Sequence, residues 1–299
     1  MSKQEKDRRP VRWLSELGVD DVPLVGGKNA SLGEMVSRLG EQGIAVPDGF
    51  ATTAGAFRDF IAANDLRERI GAQLARFRED HGNLHEAAGA IRTLLLAAPL
   101  PDALEGALRA AYDELAKRCG EDEPAVAVRS SATAEDLPDA SFAGQQETFL
   151  NVRGGDALVA ACRRCFASLF TDRAISYREE KGFDHLAVAL SVGVQRMVRS
   201  DCGASGVMFT IDTETGFPNA IVINAAWGLG ETVVGGEVDP DEYTVFKPLL
   251  ADAALQPILA RRVGDKALKA VYGDGAEPVR RVATDEGERG GRVLCDDDI

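Results

Sequence analysis

Positive charge is what this chain has least of. Its 34 lysines and arginines stand against 48 aspartates and glutamates, a net charge of −14. Gripping a nucleic-acid backbone needs clustered surplus cations, so this composition argues against that partner. Cysteine is sparse as well, and five in 299 residues make no disulfide framework. Cys162 and Cys165 form a C-x-x-C, but they fall in an amphipathic helical pattern over residues 157–170. No second cysteine pair or neighbouring histidine completes a zinc set, so the pair reads as packing. His81, His85 and His185 lie scattered among charged residues and read as solvated side chains. No apolar stretch approaches the roughly 18 residues of a membrane span. The first ten residues lack the apolar core of a signal peptide. These absences predict a cytoplasmic protein with no membrane partner.

What is present is helical pattern first and strand pattern second, with no internal repeat between them. A strand near residues 11–14 leads to a turn at Gly26-Gly27 and a helix over 29–39. Thr53 is placed to cap a helix over 54–64. A periodic apolar stripe that includes Leu74, Ile91, Leu108 and Leu115 predicts helix from 65 to about 119. Strand character begins at Ala125, a helix pair covers 155–181, and short β runs follow at 188–198, 206–211, 220–224, 244–246 and 279–282. This order predicts an α+β chain of two lobes, a helix-rich one over 1–190 and a β-rich one over 191–299.

The stretch from Val128 to Thr148 is the most informative. An apolar run ends on Arg129, and a long loop of small and acidic residues separates it from a second strand pattern over 147–152. A loop of that length in a compact domain points to work on a ligand. Small side chains let backbone N–H groups approach an anion, while a guanidinium forks onto its oxygens. Taken alone, Arg129 is equally well read as a partner for Glu135, Asp136 or Asp139. Gly26-Gly27-Lys28 ahead of a helix favours an anion at the helix N-terminus, although the same tripeptide is commonly an exposed turn. It is not a Walker A loop, since Val22 stands where the first glycine is needed and Asn29 follows the lysine.

Four segments carry a resemblance: Val25-Gly26-Gly27-Lys28-Asn29-Ala30-Ser31-Leu32-Gly33-Glu34-Met35, Val46-Pro47-Asp48-Gly49-Phe50-Ala51-Thr52-Thr53, the Arg129 loop, and Ala226-Trp227-Gly228-Leu229-Gly230-Glu231. In this order they are similar to the nucleotide-binding domain shared by phosphoenolpyruvate synthase, pyruvate phosphate dikinase and rifampicin phosphotransferase. Residues 167–178 and 194–200 resemble the synthase members most. The resemblance implies an ATP-grasp-like fold with nucleotide held between two lobes. It also implies that Lys28 and Arg129 contact the ATP phosphates and stabilise charge in flight. Gly144 gives a close backbone approach, Thr148 a polar contact, and Gln195, Met197 and Val198 the adenine contacts. Without the family, residues 194–198 read as an ordinary buried strand. Glu231 is a weaker polar candidate. Lys266 and Lys269 read as solvated lysines that could approach phosphates.

Some parts of the family pattern are missing. The acidic Asp-Ile-Glu-Trp metal motif does not occur, and Asp296-Asp297-Asp298 reads as a frayed acidic tail. Mg²⁺ is therefore expected, with ligands beyond residue 299. The phosphohistidine and pyruvate-binding domains are expected as partners outside these residues, which makes the chain an N-terminal piece of a longer enzyme. The implied reaction converts ATP, pyruvate and water to AMP, phosphoenolpyruvate and phosphate. The alternatives are the ATP domain of a related dikinase or rifampicin phosphotransferase, and a truncated module that binds nucleotide without turnover.

Overall fold

The computed structural model describes residues 9–79, 83–133, 136–137, 140–141, 147–252, 254–275 and 277–299. The elements are mixed α and β, the strand ladders among the described residues are antiparallel, and the chain divides into two units, Met1–Met197 and Val198–Ile299.

The first unit begins with β1 (Val11–Trp13) and α1 (Val22–Gly40), then β2 (Gly49–Thr52). Four helices follow: α2 (Ala54–Ala63), α3 (Leu66–Glu79), α4 (Leu84–Ala97) and α5 (Asp102–Cys119). After β3 (Val126–Ala132) comes a two-residue ladder, β4 (Asp136–Leu137) with β5 (Ala140–Ser141). The unit closes with β6 (Thr148–Val152), α6 (Gly155–Ser168), α7 (Asp172–Lys181) and β7 (Leu190–Arg196). Local chemistry sets several boundaries. Thr53 caps α2 as its sequence position predicts, its hydroxyl accepting from the Ala56 amide at 3.2 Å. Gly120 ends α5 in the left-handed conformation. Within α1 the helix breaks at Gly26, where φ is 75° and ψ is 164°. The predicted turn is thus real, with helical turns on both sides of it.

Five strands form one sheet in the order β1-β2-β7-β3-β6. Alternation along each strand gives the sheet two faces. Phe50, Val126, Val128, Val192 and Val194 share one face and pack into the main core with Phe57, Phe60 and Phe166 of the helices. Burying these aromatic side chains stabilises the unit by about 1.5–3 kcal/mol each. Cys162 and Cys165 lie in the same core with no disulfide, as the packing reading expected. The other face carries Arg129, Ser131, Ser191, Gly193 and Gln195, and α1 lies against it through Gly26 and Asn29.

His185 differs from its sequence reading. It is buried, not solvated. Arg178 Nε donates to its Nδ1 at 2.9 Å, and Glu179 Oε1 lies 2.6 Å from its Nε2. A histidine surrounded by charged residues in sequence is here surrounded by them in space, and they satisfy both ring nitrogens. His85 is exposed beside Asp172, and His81 lies outside the described residues.

The second unit holds β8 (Ala204–Phe209), β9 (Ala220–Trp227), β10 (Asp241–Phe246) and β11 (Ile258–Arg262) in a four-stranded sheet, with a short α8 (Glu231–Val234) between β9 and β10. A hairpin of β12 (Leu268–Tyr272) and β13 (Val279–Ala283) follows, then a short helix, α9 (Glu286–Gly290). Asp212 shapes the β8–β9 connection by accepting from the Glu214 amide and the Thr215 hydroxyl.

Two sequence readings in this unit are corrected. Lys266 is fully buried and paired at 2.5 Å with the equally buried Asp241, and Lys269 pairs with Glu288. Neither is a solvated lysine. The Asp296-Asp297-Asp298 triplet is also no frayed tail. Asp296 binds Arg261 and Arg292, while Asp298 accepts from the Cys295 amide. Upstream, the Val293 amide donates to Asp241 at 2.7 Å and the Leu294 amide to the Tyr243 hydroxyl at 3.2 Å. A buried carboxylate therefore anchors the segment that leads to the aspartates.

Candidate functional site

Arg129 is the centre of the polar sheet face. It stands within β3, opposite Thr148 of β6 and Gly193 of β7. The side chain is half-buried, and its guanidinium donates to Gln195 Oε1 at 3.0 Å. Gln195 is held in turn by its own amide, which donates to the Pro47 carbonyl at 3.0 Å. Arg129 Nε is buried with no hydrogen-bond partner among the described residues, and burial pushes the pKa of the group down. Apart from Gln195, this guanidinium finds no acceptor among the described residues to replace the hydration it has lost. A buried cationic donor in this condition is chemically suited to an anionic acceptor.

The turn that carries Lys28 meets this sheet by a different route. Gly26 rests on the Ser131 backbone, two residues beyond Arg129 in β3, and the Ser131 hydroxyl accepts from the Asn29 amide at 3.4 Å. These contacts seat the first turn after the Gly26 break on the strand that carries Arg129. Lys28 lies in that turn and is half-buried. Helix amides and dipole there favour negative charge.

The remaining predicted residues sort as follows. Thr148 is exposed on β6 as the ladder partner of Arg129. Met197 follows the end of β7. Its amide donates to the Ala125 carbonyl at 2.8 Å and its sulfur accepts from the Asn151 amide at 3.0 Å, so this amide is engaged within the unit. Val198 is the first residue of the second unit and is exposed. Gly144 lies outside the described residues, as do most of the small residues of its loop. In the second unit, Glu231 pairs with Arg281 at 3.2 Å. The structure thus gathers Arg129, Thr148 and Gln195 on one face and brings the Lys28 turn onto it.

Sequence reasoning gave no role to Asn29, Ser131, Ser191 or Gly193. Asn29 and Ser191 are fully buried and hydrogen-bonded to each other at 2.9 Å. The available signal was a buried-type spacing of small polar residues at strand positions facing a Gly-Gly turn. Among the described residues, no group of three or more His, Cys, Asp or Glu side chains is placed to hold a metal ion.

The chain matches the family described as pyruvate phosphate dikinase, AMP/ATP-binding domain, over residues 22–299. It is 52% identical to a phosphoenolpyruvate synthase of Synechocystis sp., across 100% of this chain and 37% of that relative. Identity to the phosphoenolpyruvate synthase of Pseudomonas aeruginosa is 55%, across 94% of this chain and 35% of the relative. For the Escherichia coli enzyme of the same name it is 51%, across 92% and 35%. The chain spans about a third of the length of the relatives it matches.

Proposed function

We propose that this chain, which belongs to the pyruvate phosphate dikinase AMP/ATP-binding domain family, binds ATP along the sheet face that carries Arg129. The observation behind this reading is the Nε of a half-buried guanidinium, which has no hydrogen-bond partner among the described residues. Arginine suits phosphate because its planar fork meets two oxygens at once, while the ammonium of Lys28 acts as a point charge. From Ser131, where the Lys28 turn is seated, back to Ala125, where the Met197 amide is bound, is a strand length of about 20 Å. That spacing supports a nucleotide laid along the strand, with phosphates toward Lys28 and Arg129. Its base then lies toward Gln195, Met197 and Val198. Thr148 and Gly144 complete the phosphate contacts in this reading. An ATP-grasp-like fold belongs to the same proposal, supported by the α+β elements and the division into two units.

For the longer protein we infer phosphoenolpyruvate synthase chemistry, as in the relatives of that name. There the ATP part presents the β-phosphorus to a histidine of another domain; the bond to the α-phosphate breaks and AMP leaves, water takes the γ-phosphoryl as free phosphate, and the histidine passes the remaining phosphoryl to pyruvate. Lys28 and Arg129 are suited to stabilise charge that develops on the phosphate oxygens during transfer. Mg²⁺ belongs to this reaction class, but the described residues supply no ligand cluster for it, and the contribution of this chain is cationic. Calorimetric titration of ATP into the chain, with and without Mg²⁺, tests the reading. Saturable binding that Arg129→Ala weakens by about tenfold or more supports it. A flat titration of folded protein overturns it.

A further inference from the structure

Asn29 follows Lys28, is fully buried, and ties the turn of α1 after the Gly26 break to strands distant in sequence. Its amide side chain donates to Ser191 Oγ of β7 at 2.9 Å and to the Val25 carbonyl at 3.1 Å. Its backbone N–H donates to Ser131 Oγ of β3 at 3.4 Å. Ser191 in turn donates to the Thr52 carbonyl of β2 at 2.6 Å. The side chain of Asn29 thus ties to β7, its backbone N–H to β3, and Ser191 relays the link to β2.

The remaining atom of Asn29 points to the site. Oδ1 faces Gly193 so closely that a Cβ there would stand 2.2 Å from it. Gly193 is the β7 ladder partner of Arg129. Asn29 Oδ1 and Arg129 Nε are both buried and unpartnered among the described residues, one an acceptor and the other a donor.

We propose that Asn29 is a positioning residue for the nucleotide phosphates. Through its side chain on β7 and its backbone N–H on β3 it locks the turn after the Gly26 break in place, and so fixes where Lys28 stands relative to Arg129. The inference rests on the nucleotide-site reading above. Lysine is a point charge on a flexible stem, so its aim depends on where its backbone is held. A turn that opens with two glycines has little restraint of its own. Asn29 provides that restraint from inside, and no other residue type offers two donors and an acceptor on so short a stem. Gly193 leaves the space that Oδ1 occupies.

The test compares ATP with AMP, which lacks the outer two phosphates, in titrations of the 299-residue chain. Asn29→Ala should weaken ATP by about tenfold, the scale of one or two lost buried hydrogen bonds, and leave AMP within about twofold. In a Lys28→Ala background, the same change should cost ATP less than about twofold, because the effect runs through Lys28. If Asn29→Ala does not fold, Ser191→Ala removes the hydroxyl that accepts from the Asn29 side-chain amide and carries the same expectation. Unchanged ATP affinity overturns the inference. So do equal losses for ATP and AMP, and so do Lys28 and Asn29 effects that multiply independently. A folded wild-type chain that binds neither nucleotide defeats the nucleotide-site reading, and this inference with it. Wild-type binding that depends on Lys28 but not on Asn29 defeats this inference alone.

Discussion

Gly26 rests on Ser131 with no room for a side chain between them. A Cβ on Gly26 would stand 2.3 Å from Ser131 Oγ and 2.6 Å from its carbonyl oxygen. The backbone there, at φ 75° and ψ 164°, lies in a region that essentially only glycine occupies. Gly26→Ala therefore combines backbone strain with overpacking, each worth about 1–3 kcal/mol. Urea denaturation should show a loss of about 2–4 kcal/mol. A change under about 0.5 kcal/mol, typical of a surface substitution, would contradict the contact.

The Asp241–Lys266 pair should respond asymmetrically to substitution. Asp241 accepts from Lys266 and from the Gly264 amide, the Tyr243 hydroxyl and the Val293 amide. Among the described residues the Lys266 ammonium donates to Asp241 and to the Gly264 carbonyl alone. Asp241→Leu strands a buried cation and three donors, whereas Lys266→Met leaves a carboxylate that still has three. The first should destabilise by about 3–5 kcal/mol and the second by less. Equal losses in thermal unfolding would refute this account of the cluster.

His185 gives a pH dependence with a definite sign. Arg178 is always a donor, so its bond fixes the neutral tautomer with the proton on Nε2, toward Glu179. Burial holds the histidine pKa below its ordinary value and pushes that of Arg178 down to about 10. The unfolded chain binds the proton first as pH falls. Stability from His185 is therefore complete above about pH 6.5 and erodes as pH drops toward the lower folded value. Measured by urea midpoints across that range, the advantage of wild type over His185→Gln should shrink on acidification. An advantage that grows would reverse the sign and contradict the arrangement.

The cysteines should separate by burial. Cys162 and Cys165 are buried, and burial pushes the Cys162 thiol up to about 12 and Cys165 well above its ordinary value. Cys202 and Cys295 are exposed. Brief alkylation of native protein, read by peptide mass, should label the exposed pair and spare the buried one until denaturant is added. Rapid native labelling of Cys162 would contradict its place in the core.

Local features were the most legible in sequence. Thr53 caps α2, the Gly26 turn is present, and Arg129 belongs to a strand, because each depends on chemistry within a few residues. Long-range partners were not legible. Lys266 reads as solvated because its neighbours Gly264 and Asp265 are polar, while the carboxylate that permits its burial lies at 241. The strands β11 and β12 escaped notice because Arg261, Arg262 and Lys269 interrupt their apolar pattern. At the candidate site, the phosphate-facing residue types stood out, but the buried Asn29 that seats the Lys28 turn had no signal apart from the residues it meets at 131 and 191.

The most direct measurement is a crystal structure of the chain with a non-hydrolysable ATP analogue. The account predicts phosphate oxygens within about 3 Å of the Arg129 guanidinium, Nε included, with the base toward Gln195. A triphosphate bound away from the β3–β7 face, with Arg129 still resting on Gln195, would contradict it.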